Sequence, residues 1–173
     1  MTRAFYVQFK RELGALLLSP IAYILFVVFG LVTFTAFSSY VGDVLQGPVQ
    51  QGVMERFFSS WGYWICTIIV VPIITMRLFA EEFRSGTIEM LMTAPIREVD
   101  VVMAKFCAAV VIYCFLWLPT VFYYAAFQFV SGSAIPVQWS ALSMAYLMVV
   151  LIGMFYVSIG LFASSLTKNQ IVA

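Results

Sequence analysis

The side chains in this sequence that could do chemistry are gathered in one place. It holds nine basic and eight acidic residues, and nine of these charges lie between Arg77 and Lys105. There the chain reads Arg77-Leu-Phe-Ala-Glu81-Glu82-Phe-Arg84-Ser-Gly86-Thr87-Ile-Glu89-Met-Leu91-Met-Thr-Ala-Pro95-Ile-Arg-Glu-Val-Asp100-Val-Val-Met-Ala-Lys105. The chemistry this suits is recognition rather than bond-making. Histidine is absent from the whole chain, which removes the commonest general base and the commonest metal ligand together.

Local rules give the segment a shape. The preceding apolar helix is expected to continue through Met76–Arg84. Gly86 supplies a left-handed stop. Thr87 is a good N-cap for a new helix, and Glu89 falls in its first turn, where the helix dipole favours an acid. Ile88, Leu91 and Met92 form a compact apolar face. Pro95 closes the helix because it disfavours helical geometry at Ala94. A helix of about two turns, from Thr87 to Thr93, is predicted, ringed by Glu82, Arg84 and Glu89. Such a helix either docks into a groove on another protein, or merely rests on the membrane or caps the bundle.

The elements that must position this segment are membrane spans. Hydrophobic residues make up 64% of the chain, charged residues 10%, and the mean hydropathy is +1.02. A water-soluble domain carries roughly 25% charged residues, so lipid must be the main solvent here. Uncharged runs mark the spans: Leu13–Gly42, Phe57–Met76 and the 62 residues Phe106–Thr167. The last run is long enough for two spans, divided at Ser131-Gly-Ser-Ala-Ile-Pro136. Four transmembrane helices are predicted, at about 20–41, 57–79, 101–130 and 138–166, with a polar segment at 80–96. The whole of 1–173 reads as one transmembrane domain.

Eight of the nine lysines and arginines fall before the first span, between the second and third, or after the fourth; Arg56 alone lies on the other side. This bias places both termini and the Arg77–Lys105 segment, with 80–96 inside it, in the cytoplasm. Trp61, Tyr63, Trp64 and Trp139 fit aromatic belts on the far side. Residues 2–18 read as an amphipathic interfacial helix, with Phe5, Phe9, Leu13 and Leu16 on one face, Tyr6 and Leu17 beside it, and Arg3, Lys10 and Arg11 opposite. Ser19-Pro20 breaks it from the first span. The uncharged stretch Leu13–Gly42 exceeds the roughly 7–15-residue core of a signal peptide, so the first span is an uncleaved anchor. Gly30, Ala36, Gly153 and Gly160 offer close helix approach, and Pro72 and Pro119 mark expected kinks. Cys66, Cys107 and Cys114 all lie in apolar runs and read as packing residues.

These patterns argue against several functions. A net charge of +1 gives no basic patch for nucleic acid. An intramembrane enzyme would need a base or metal cluster, and an ion-coupled carrier usually has an ionisable residue within a span; the 106–167 run has neither. No catalytic residue, metal ligand or cofactor site is assigned.

The stretch Met76 to Pro95, with its acidic–Gly–Thr–acidic–Pro core, closely resembles the signature of ABC-2-type permeases, the membrane subunits of a class of ABC transporters. With Pro72-Ile-Ile-Thr-Met-Arg leading into the glutamate pair, it looks most like the gliding-motility-associated branch. Leu161-Phe-Ala-Ser-Ser-Leu-Thr-Lys-Asn-Gln170 resembles the family's approach to a fifth span, and Lys105 sits where the family commonly has a lysine opening the third. The resemblance implies an all-α membrane fold in which 80–96 is a coupling helix inserted into an ATP-binding subunit. Glu81, Glu82, Arg84, Gly86, Thr87, Glu89, Leu91 and Pro95 would form that interface. It further implies that residues 2–18 are the family's connecting helix, and that two permease copies or a copy and a paralogue pair in the cell (inner) membrane to export a substrate. Family members have six spans, so the expectation is that this sequence carries four of them.

Overall fold

The structure is a computed structural model and describes residues 3–46, 60–76, 78–79, 86, 97–131 and 139–166. Among these residues the chain forms five helices and no strands. They are α1 (Arg3–Leu17), α2 (Pro20–Gln46), α3 (Trp61–Thr75), α4 (Glu98–Ser131) and α5 (Trp139–Leu166). An all-helical fold is what an apolar environment demands, because helices satisfy their own backbone groups without water.

Three helices are long and apolar enough to cross a bilayer: Pro20–Asp43, Glu98–Phe129 and Ser140–Leu166. The fourth apolar helix, α3, is shorter. Its 15 residues rise about 22 Å at 1.5 Å per residue, less than a hydrocarbon core of ~30 Å. Ser60 is extended at its start, with φ −71° and ψ 140°. Of the expected continuation through Arg84, residues 77 and 80–84 lie outside the described residues. The helix stops at Thr75, Met76 is its C-cap, and Leu78 and Phe79 lie in turns. Long-range hydrogen bonds from α4 and α5, described below, take up the backbone groups that another helical turn would have used.

The break between α1 and α2 falls where Pro20 requires it. The Leu18 N–H still donates to the Gly14 carbonyl at 3.0 Å, while the Ser19 N–H shifts to Leu16 at 3.3 Å. Pro20 then opens α2, where a missing N–H costs nothing. Pro72 and Pro119 both sit inside helices that continue past them.

Helix α4 is the centre of the bundle, packing against α1, α2 and α5. Its inner face is fully or almost fully buried at Ala104, Ala108, Ala109, Ile112, Tyr113, Leu116, Trp117 and Thr120. Trp117 joins three helices: its ring centroid lies 4.9 Å from Phe29 of α2 and 5.5 Å from Tyr63 of α3. Tyr63 is therefore a core residue rather than part of an aromatic belt, whereas Trp61 is 83% exposed. The two glycines of α5 are closely overlaid by neighbouring side chains. A Cβ on Gly153 would lie 2.1 Å from the Tyr113 ring, and one on Gly160 would lie 2.2 Å from Thr75 Oγ1. Small residues at these contacts let α5 approach α4 and α3. Hydroxyls inside the spans turn inward: Thr33, Thr67 and Thr75 each donate to the carbonyl four residues back, which satisfies them without water. The three cysteines are free thiols.

Candidate functional site

Gln8, Glu12, Lys105 and Ser164, four of the buried polar side chains, gather at one end of the bundle around Met76, Leu78 and Phe79, the stem below α3. Lys105 lies in the second turn of α4 and is 1% exposed. Helical side chains tilt toward the amino end of their helix, which aims the ammonium back at the stem. Its Nζ donates to the Leu78 carbonyl at 2.6 Å and lies 5.1 Å from the Phe79 ring centroid. The same Nζ is 3.1 Å from Oε1 of Glu12 on α1. That oxygen also accepts from Gln8 Nε2 and Arg11 Nη2, each at 2.9 Å.

From the opposite side α5 holds the stem through Ser164, which is fully buried. The Phe79 N–H donates to Ser164 Oγ at 3.2 Å, and the hydroxyl faces the Met76 carbonyl at 3.5 Å. The backbone of Met76–Phe79 is thus bonded by side chains from α4 and α5, and through Lys105 it is linked to α1.

An isolated charge in such a place would be costly, and a buried pair offsets that cost only with good geometry and further hydrogen bonds. Both conditions are met: the carboxylate has three donors and the ammonium has a carboxylate, a carbonyl and an aromatic face. The arrangement ties α1, α4 and the stem together. Among the described residues no group of three or more His, Cys, Asp or Glu side chains could hold a metal ion.

Beside the ion pair, a cavity of about 260 Å³ opens at the α1–α2 elbow, lined by Glu12, Leu16, Leu18, Pro20 and Leu78 among others. The elbow and the stem are therefore not packed tightly there.

Of the residues assigned to a partner interface, Gly86 is described. It has φ +70° and open space around its Cα, as the left-handed stop requires. Glu81, Glu82, Arg84, Thr87, Glu89, Leu91 and Pro95 lie outside the described residues, as does the rest of the predicted Thr87–Thr93 helix.

Helix α1 differs from its predicted orientation. Phe5, Phe9, Leu13 and Leu16 are half-buried as expected, but the most buried positions are the polar Gln8 and Glu12. Tyr6 and Leu17 are exposed. The packed face is rotated toward Glu12, because Lys105 needs a counter-charge there. One signal was legible. Glu12 is the sole acid before Asp43, and at 3.6 residues per turn it falls beside Phe5 and Leu16 on the apolar stripe. Ser164 had no such signal.

Compared with known families, residues 9–173 match the family described as ABC-2 family transporter protein. No curated protein and no solved structure matches the chain.

Proposed function

This chain belongs to the ABC-2 family of transporter proteins, and we propose that it is the permease subunit of an ATP-driven exporter in the cell membrane. In this reading the 80–96 segment is a coupling helix seated in a separate ATP-binding subunit, with Glu81, Glu82, Arg84, Gly86, Thr87, Glu89, Leu91 and Pro95 at the contact. The amino terminus and this segment face the cytoplasm. Two copies, or one copy and a related permease, enclose the path. ATP binding moves the coupling helix because the partner's two states bind it unequally. The chain itself carries out no covalent chemistry. Assignment to the gliding-motility-associated branch rests on the Pro72–Arg77 residues alone.

The observation that carries this reading is the anchoring of Met76–Phe79. The backbone leading into the segment is bonded to α4 and α5 and linked to α1. A displacement applied at 80–96 would therefore reach the membrane helices rather than be lost in a slack loop.

The test is co-purification of the tagged chain with the ATP-binding subunit from native membranes, followed by ATPase assay of the eluate. Glu82→Lys and Gly86→Val are expected to lower both retention of that subunit and its stimulated turnover. Retention and turnover equal to the unsubstituted chain would remove the interface from 80–96.

A further inference from the structure

We propose that Lys105 is a positioning residue that relays movement of the 80–96 segment to α1, through its simultaneous bonds to the Leu78 carbonyl and the Glu12 carboxylate. The proposal deepens the permease reading and rests on it.

The geometry separates this relay from ordinary packing. One nitrogen bonds both elements beside a cavity at the elbow lined by Glu12, Leu16, Leu18, Pro20 and Leu78. The bond to Leu78 is short, at 2.6 Å, and is made to backbone, so it follows the stem whatever side chain moves. The bond to Glu12 is a charge pair held on the far side by Gln8 and Arg11, both of α1. Lys105 is 1% exposed, so water does not compete for its protons. When the stem shifts, the ammonium must either break a desolvated bond or carry Glu12 with it. Carrying Glu12 swings α1 about the Leu18–Ser19 turn, where Pro20 has already interrupted the helix. Ser164 forms a second attachment, to α5, that does not pass through Lys105.

The relay is distinguishable from a purely stabilising ion pair. Lys105→Met removes both bonds. Lys105→Arg keeps a donor for Leu78 and a charge for Glu12. Glu12→Leu keeps the stem bond and cuts the link to α1. The experiment uses the full chain with the ATP-binding subunit it retains, in lipid nanodiscs. Spin labels are placed at Lys10→Cys on α1 and Phe155→Cys on α5, both exposed positions, with the three native cysteines replaced. The distance between labels is measured without nucleotide and with a non-hydrolysable ATP analogue.

The unsubstituted and Lys105→Arg chains are expected to show a nucleotide-dependent change in that distance. In Lys105→Met and Glu12→Leu the change is expected to be lost while the ATP-binding subunit is still retained. A persisting change in Glu12→Leu overturns the relay even if Lys105→Met fails to fold, as does a fixed distance in an unsubstituted chain that holds its partner. Failure of the unsubstituted chain to retain any ATP-binding subunit is a different result, and overturns the permease reading itself.

Discussion

The ammonium of Lys105 on α4 sits 3.1 Å from a carboxylate oxygen of Glu12 on α1, with Lys105 1% and Glu12 8% exposed. These residues are 93 positions apart, from 12 to 105, and both are buried. Their meeting orients α1 and fixes the stem below α3 at once.

Removing one partner leaves the other charge buried. Glu12→Leu takes the carboxylate from the buried Lys105 ammonium and is expected to destabilise the solubilised protein by about 3–5 kcal/mol. Lys105→Met is expected to cost less, because Arg11 still pairs with Glu12. The double variant Glu12→Leu/Lys105→Met is expected to recover most of that loss, because no charge then remains to be desolvated. Thermal unfolding of the two single variants and the double variant in detergent provides the cycle. Simple addition of the two single effects would show that the pair is not coupled.

Gly153 faces the Tyr113 ring, and a methyl there would lie 2.1 Å from a ring carbon. Gly153→Ala is expected to cost about 1–3 kcal/mol by overpacking. In a Tyr113→Leu background the cost should shrink, since the aromatic ring is the obstacle. Equal melting-temperature losses in both backgrounds would mean that α5 can slide away from α4 freely.

Thr120 of α4 and Tyr146 of α5 share a hydroxyl–hydroxyl contact of 2.6 Å. Hydrogen bonds between membrane helices average about 0.6 kcal/mol. Tyr146→Phe is expected to lower stability by about that amount, and adding Thr120→Val to lose only the further bond that Thr120 Oγ1 donates to the Trp117 carbonyl. A fully additive second loss would assign the two hydroxyls to separate partners.

Gly86 has φ +70°, so substitution there carries a conformational cost whatever the space around it. Loss of retained ATP-binding subunit is expected to rank Asn below Ala below Val at this position. A left-handed residue costs roughly 1–2 kcal/mol when it bears a Cβ, and Asn is partly excused. Equal retention by all three would show that the left-handed turn is not needed for docking.

The charge bias predicts a definite topology. With the three native cysteines replaced, Lys10→Cys is expected to react with a membrane-impermeant maleimide in inverted vesicles and not in intact cells. Labelling in intact cells would reverse the assignment of sides.

Much of the architecture could be read locally. A helix needs only its own residues to close its hydrogen bonds, so uncharged runs and a proline at position 20 were enough to delimit α1, α2, α4 and α5 approximately. Gly86 was legible for the same reason, since a left-handed stop is a property of one residue. The length of α3 was not. Nothing local marks Thr75 as its last residue; past it the Leu78 carbonyl and the Phe79 N–H are bonded by Lys105 and Ser164, 27 and 85 positions away.

By itself, then, the sequence determined an all-helical membrane protein, where most of its helices break, and which segment carries the charge. Those features follow from hydropathy and from dihedral preferences, which act over a few residues. Only the tertiary structure decided that Glu12 turns inward, that Lys105 bridges it to the Leu78 carbonyl, and that Gly153 and Gly160 lie under Tyr113 and Thr75. Each of these depends on which distant side chain arrives at the same depth. A buried charge must find its opposite and a close approach must find a glycine, but neither requirement names the partner until the helices have packed.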